Sequence, residues 1–243
     1  MGEHYLTARS TVNLSVSKSN QQSGKKFIHS FNSIVINNGI DQKKFTPDKQ
    51  YPNIRKELAI PADAILILFI ARFTSHKQPL TLIHAFKKAV ASNPSLHLLM
   101  VGDGDQKEEA IELISKLNLS TNITLLSFRQ DVPAILAASD IFVLPSLWEG
   151  LPIGLLEAMS MGKAVIASNV DGTSEIIEHK RNGWLVETND LVNNTAEALL
   201  HLSKDPELRR QFSEKARSTV TQRFNAATMT KEIEQVYTKI LLR

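Results

Sequence analysis

From residue 65 onward, short apolar runs of strand length alternate with longer segments of helical period, and this rhythm limits the fold more than any other feature of the chain. The runs are 65–71 (ILILFIA), 96–101 (LHLLMV), 123–126 (ITLL), 140–144 (DIFVL) and 164–167 (AVIA). Helical periodicity fills the gaps at 79–91, 106–117, 131–138 and 152–161. None of the runs alternates polar with apolar residues, so each strand is expected to be covered on both faces. That predicts an α/β fold: a Rossmann-like parallel sheet with helices on both faces. A further strand at 33–36 (SIVI) stops at the turn signal Asn37-Asn38-Gly39, and 183–186 (GWLV) reads as a short late strand. The tail is helical at 190–203, 206–223 and 226–242.

The first 30 residues read differently. They offer one strand, 12–16, and one short helix, and such a unit cannot bury its own apolar face. It is expected either to join the later sheet or to belong to a partner.

Composition excludes several classes. No apolar run reaches the roughly 18 residues of a membrane span, and the polar N-terminal stretch lacks the apolar centre of a signal peptide, so a cytoplasmic chain is expected. Without cysteine there are no disulfides or thiolate metal sites. The net charge of +3 is mild; Lys25-Lys26 and Lys43-Lys44 read as solvated surface, and no nucleic-acid partner is expected.

In an open parallel sheet, ligands bind beyond the carboxyl ends of the strands. Four loops there are equipped for chemistry: RFTSHKQP with Arg72 and Lys77, GDGD at 102–105, SFRQD with Arg129, and PSLWEGLPIGLLEAM with Glu149 and Glu157. In the last, Pro152 suits a first helical residue, and the free N–H groups behind it, with Gly150 permitting close approach, make an anion site. Were the helix regular throughout, Glu149 and Glu157 would stand roughly 12 Å apart along its axis. Two carboxylates flanking an anion hole suit a ligand with hydroxyls at both ends and phosphate between, the layout of a nucleotide sugar. Taken singly, each residue has a plainer reading. Glu149 could serve the helix dipole, and Glu157 could be an ordinary surface residue. GDGD could be a tight turn, since a third glycine of the dinucleotide fingerprint is absent. His76 and His84 have no metal-ligand spacing, and no Gly-x-Ser-x-Gly elbow supports a catalytic triad.

Together the segments VSKSNQQ, INNGID..KFTP, ARFTSHKQP, LLMVGDGD, ASDIFVLPSLWEGLPIGLLEAMSMGKAVIAS and GTSEIIEHKRNGWLV resemble, in order, the nucleotide-sugar-binding half of the retaining glycosyltransferases of family four. That family has the two-Rossmann-domain GT-B fold. The resemblance implies that Arg72 and Lys77 bind the donor diphosphate and that Glu149 holds sugar hydroxyls, making these three the catalytic candidates. It further implies that Glu157 holds the ribose, that Arg129 borders the base, and that backbone around Gly150, Leu151, Pro152 and Ile153 orients sugar and phosphate. The donor is then a nucleoside-diphosphate sugar, with no cofactor and no metal expected. Two departures stand out: Ala71 where a glycine is usual before the arginine, and Gln78 where one is usual after the lysine. Neither removes a charge.

The same resemblance implies an acceptor domain ahead of this chain. Residues 1–30 are then its remnant, 31–224 the donor-binding domain, and 225–243 a helix that would cross back to the missing domain. Such a chain would be a truncated enzyme or one half of a two-chain enzyme, and any peripheral membrane contact would belong to the absent half. Transfer of a hexosyl group to an acceptor hydroxyl with retention is the expected activity of the whole. The competing readings are a catalytically silent nucleotide-sugar-binding module that needs a separate acceptor chain, and, against the two-glutamate signature, a sugar-nucleotide epimerase.

Overall fold

The computed structural model describes residue 7 and residues 9–242. Its N-terminal elements are β1 (Leu14–Ser15), α1 (Lys18–Phe27), β2 (Ile34–Val35) and α2 (Ile54–Glu57). The alternating region then supplies β3 (Ile65–Ile70), α3 (Pro79–Ser92), β4 (Leu96–Val101), α4 (Lys107–Lys116), β5 (Ile123–Leu126) and α5 (Val132–Ala138). It continues through β6 (Ile141–Leu144), α6 (Ile153–Ser160), β7 (Ala164–Ser168), the one-turn helix α7 (Asp171–Ser174) and β8 (Trp184–Val186). Helices α8 (Leu191–Lys204), α9 (Pro206–Arg223) and α10 (Ala226–Leu241) close the chain.

Successive strand residues face opposite sides of a sheet, so an unbroken apolar run needs a core on each side. That is what β3 has. Leu66 and Leu68 pack into one core with residues of α5, α6 and α9, while Ile67 and Phe69 pack into a second with residues of α3, α4 and α8. All four are sealed from solvent.

The six strands β3 to β8 run parallel in the order β5-β4-β3-β6-β7-β8. The chain winds outward from β3 to β5, returns across the sheet, and winds the other way from β6 to β8. The order therefore reverses between β3 and β6, where an open α/β sheet leaves a crevice above its carboxyl edge.

The N-terminal unit does not join this sheet. Instead β1 pairs in parallel with β2, Leu14 opposite Ile34 and Ser15 opposite Val35, in a separate two-stranded sheet. The strand anticipated at 33–36 is thus the partner that the lone unit lacked, and Asn37 Nδ2, donating 2.8 Å to Val16 O, ties off the pair. The residue-30 boundary drawn from the sequence falls between these two paired strands. Glu175, just beyond α7, accepts from the backbone N–H groups of Lys18 and Ser19 at 3.1 and 2.7 Å and from Ser19 Oγ at 2.5 Å, fastening the start of α1 to the larger unit. Among the described residues no helix is long and apolar enough to cross a membrane.

Candidate functional site

The reversal point brings together the loops after β3 and β6. Beyond β3 the chain passes Arg72, makes a 3-10 turn over Ser75–Lys77, and enters α3 through Gln78 at φ 58°. That left-handed backbone is why glycine suits this position: a side chain there costs on the order of 1 kcal/mol. Gln78 offsets the strain locally, its amide donating to Ser75 O and its carbonyl accepting from Thr81. Ala71, the other departure from the family pattern, has no positive φ and needs no such compensation.

Beyond β6 the loop lies against this turn. Leu147 N–H donates 2.8 Å to His76 O, and the Trp148 indole stacks on the His76 imidazole at 5.0 Å between centroids. Lys77 Nζ donates to Glu149 Oε1 in an ion pair whose side chains are only 19% and 9% exposed. Arg72 is exposed and makes no side-chain hydrogen bond or ion pair with a described residue. All three charges act on His76: burial and then Lys77 push its pKa below the ordinary value, Glu149 opposes them, and Arg72 adds to the depression. Arg72, Lys77 and Glu149 therefore all lie within electrostatic reach of one imidazole.

Helix α6 opens onto the same place. Pro152 is its cap residue, with extended backbone (φ −71°, ψ 113°), rather than its first helical residue, which is Ile153. The segment from Glu149 to Pro152 is therefore not helical, and the regular spacing anticipated between the two glutamates does not apply. No side chain caps α6, and its first bond runs from Leu156 N–H to Pro152 O. The N–H groups of Ile153, Gly154 and Leu155 are left without an intrahelical partner, which makes the turn a receptor for negative charge. In the same loop, just beyond β6, the Ser146 hydroxyl is wholly buried with no hydrogen-bond partner among the described residues.

Glycines hold these loops at backbone contact. A Cβ on Gly172 would meet Gly150 O at 2.2 Å, and Gly172 N–H donates 3.1 Å to Glu149 O. On the other side of the crevice Gly102, at φ +147°, lies so close to Ala71 that a Cβ would meet its carbonyl oxygen at 2.0 Å. GDGD is thus a structural device that presses the β4 loop onto the β3 loop, and Phe73 N–H donates 2.9 Å to Asp103 O across the contact. Leu151 is buried in the core, and its carbonyl accepts 2.9 Å from Asn38 Nδ2.

Two anticipated residues stand apart from the cluster. Arg129 is gripped by Asp131 through two bonds of 2.8 and 2.6 Å and by Glu57 at 2.7 Å, so its charge is already balanced. It nevertheless borders, with Arg72, Gly102, Asp103, Phe128 and Val132, a cavity of about 430 Å³ over the ends of β3, β4 and β5. Glu157 is half-buried in α6, and its carboxylate makes no hydrogen bond or ion pair with a described residue, although its backbone carbonyl accepts 3.0 Å from Met161 N–H. Burial pushes its carboxyl up to about 7, against the pull of Lys44. No hydrogen bond or ion pair joins it to Lys77, Arg72 or Glu149. The structure also adds residues that the sequence reading gave no site role: His76 and Trp148 as the brace between loops, and Gly172 and Asn38 beneath the Glu149 segment. Gly172 could have been flagged as a glycine where backbones meet, but nothing local pairs His76 with Trp148.

Comparison with known proteins gives a consistent result. Residues 50–219 match the family model described as glycosyl transferases group 1. The UDP-Gal:alpha-D-GlcNAc-diphosphoundecaprenol alpha-1,3-galactosyltransferase of Escherichia coli is 32% identical over 207 residues, covering 84% of this chain and 53% of that protein. The N-acetyl-alpha-D-glucosaminyl L-malate synthase of Bacillus anthracis is 30% identical over 207 residues, covering 85% of this chain and 54% of that protein. The chain thus spans about half the length of these relatives. A crystal structure of the Anabaena protein HepE with UDP and glucose shares the fold, with a TM-score of 0.89 at 23% identity over 98% of this chain and 66% of that one.

Proposed function

The chain belongs to the group 1 glycosyl transferases, and on that premise we propose that it is the donor-binding half of a retaining hexosyltransferase that uses a nucleoside-diphosphate sugar. The observation that carries this reading is the pairing of Lys77 with Glu149, with Arg72 on the same β3 loop, where the strand order reverses and α6 begins uncapped. In this reading Arg72, Lys77 and the free N–H groups of α6 receive the diphosphate. They stabilise the charge it gains as the glycosidic bond breaks, without need of a metal. Glu149 accepts from sugar hydroxyls and Glu157 from the ribose. The base enters the cavity beside Arg129, whose pairing with Asp131 and Glu57 makes it a rigid wall rather than a charged hand. The E. coli and B. anthracis relatives are a galactosyltransferase and a glycosyl-malate synthase, which supports sugar transfer without fixing this chain's sugar or acceptor.

The β1–α1–β2 unit and α10 would be the contact points with an acceptor-binding half, absent from this chain, that supplies the hydroxyl to be glycosylated. Calorimetry with UDP, GDP and ADP tests the donor site directly. One nucleoside diphosphate should bind, and Arg72→Ala, which breaks no side-chain hydrogen bond or ion pair among described residues, should weaken it roughly tenfold or more while leaving the melting temperature unchanged. If none of the three binds, or if Arg72→Ala binds as tightly as the parent, the donor-site assignment fails.

A further inference from the structure

The Lys77–Glu149 pair presents a chemical conflict. Lys77 cannot give its full charge to a diphosphate while Glu149 also draws on its ammonium, and Glu149, only 9% exposed, cannot lose that partner without being left as a shielded, uncompensated carboxylate. Its backbone cannot easily retreat to solvent. Glu149 O is held by Gly172 N–H, Gly150 O presses on Gly172, and Trp148 is braced on His76. The carboxylate must therefore find another donor where it stands or oppose the incoming phosphate.

Resting on the donor-site reading above, we propose that Glu149 makes the site discriminate a nucleotide sugar from the bare nucleoside diphosphate, by competing with the diphosphate for Lys77. When the whole donor binds, phosphate oxygens take Lys77, and the sugar hydroxyls replace the ammonium as hydrogen-bond donors to Glu149. Every buried charge stays matched. When the diphosphate arrives alone, Lys77 changes partner but Glu149 gains none, and two negative groups share one cation. Arg72 offers only partial relief, since its side chain is exposed at the rim. Transfer of the sugar re-creates this mismatch, so the same residue that favours the donor promotes release of the product. The specificity resides in Glu149, with Lys77 as the exchanged cation.

The test measures UDP, GDP or ADP, and the corresponding glucose-bearing nucleotide, by calorimetry on the parent chain, Glu149→Gln, Glu149→Asp, Lys77→Met and the Lys77→Met/Glu149→Gln pair. Circular dichroism melts on each variant establish that it is folded. Glu149→Gln should bind the bare diphosphate about tenfold more tightly than the parent and lose most of the preference for the nucleotide sugar. Glu149→Asp, which keeps the charge, should retain the preference. In the Lys77→Met background the Glu149→Gln effect should largely vanish, because the competed cation is gone; an undiminished effect would mean simple repulsion and would overturn the exchange. Binding of the diphosphate by Glu149→Gln no tighter than by the parent would likewise overturn it, while the donor site stood. A parent chain that bound none of the nucleotides would instead overturn the donor-site reading, and this inference with it.

Discussion

Leu66, Leu68, Phe142 and Val165 in the six-stranded sheet are sealed from water, whereas Leu14 and Ile34 of the β1–β2 pair are 47% and 46% exposed and Phe27 of α1 is 87% exposed. The larger unit closes two cores, one on each face of its sheet, and needs nothing further to bury its strands. The smaller unit has two-residue strands with α1 lying against β1; a two-stranded sheet by itself is below the size that is independently stable in water. What holds it is mostly directional: the Glu175 carboxylate at the start of α1 and the Asn37 amide on Val16 O, joined by the Val16 side chain packed against the larger core over Gly150. Apolar packing gives the sheet its strength, and polar latches give the N-terminal unit its position. The Glu149 loop lies where the two meet.

The comparison can be broken most forcefully at the sheet. Leu68 is fully buried, so Leu68→Ala should lower global stability by about 2–5 kcal/mol in a denaturant titration. A loss below about 1 kcal/mol would mean that the strand is not the core it looks like.

A smaller effect separates two glutamates that the regions shift in opposite directions. Burial lifts the Glu157 carboxyl from the ordinary 4.5 to about 7, so between those pH values the folded chain holds a proton that the unfolded chain has lost. Its contribution to stability is complete below pH ~4.5 and falls as the pH rises through about 7, by roughly 1–2 kcal/mol after allowance for partial exposure. Glu157→Gln should flatten this decline in urea titrations run from pH 4.5 to 8. A decline of the same slope in the variant would assign the proton to another group.

Glu175 carries the smallest and most local expectation. Burial raises its pKa, but the hydrogen bonds from Ser19 and Lys18 outweigh burial and hold it below the usual range. Its contribution is therefore present above the ordinary carboxylate pKa and is lost as the pH falls through the lowered value. At neutral pH, Glu175→Gln should weaken the attachment of α1 by about 1 kcal/mol, read as faster amide exchange along Lys18–Phe27 with the sheet strands unchanged. Equal acceleration in both regions would show that the two are one cooperative unit and erase the distinction.

Much of the sheet was legible because burial leaves a local imprint. The runs at 96–101 and 123–126 coincide with β4 and β5, and 206–223 with α9, since unbroken apolar strands and a Pro-initiated helix announce themselves within a few residues. The fate of the N-terminal strand was not legible. Its choice of β2 over the main sheet depends on which edges are free, and two-residue strands carry almost no periodicity of their own. Within the site, Arg72, Lys77 and Glu149 could be picked out as charges at strand ends. That Lys77 is already spent on Glu149, and Arg129 on Asp131 and Glu57, could not.

Sequence alone determined that this chain folds as a parallel sheet covered on both faces, and that its loops of unusual charge fall at the carboxyl ends of strands. Period and composition act over one element, and each element reports them independently. Tertiary structure alone decided that the winding reverses between β3 and β6, setting Lys77 beside Glu149 across 72 residues of chain. It also decided that the half-buried Glu157 carboxylate has no hydrogen-bond partner among the described residues while Glu149 has Lys77. Those outcomes depend on the direction in which crossovers pack and on how much water each loop excludes from its neighbour, quantities that exist only once distant segments have met.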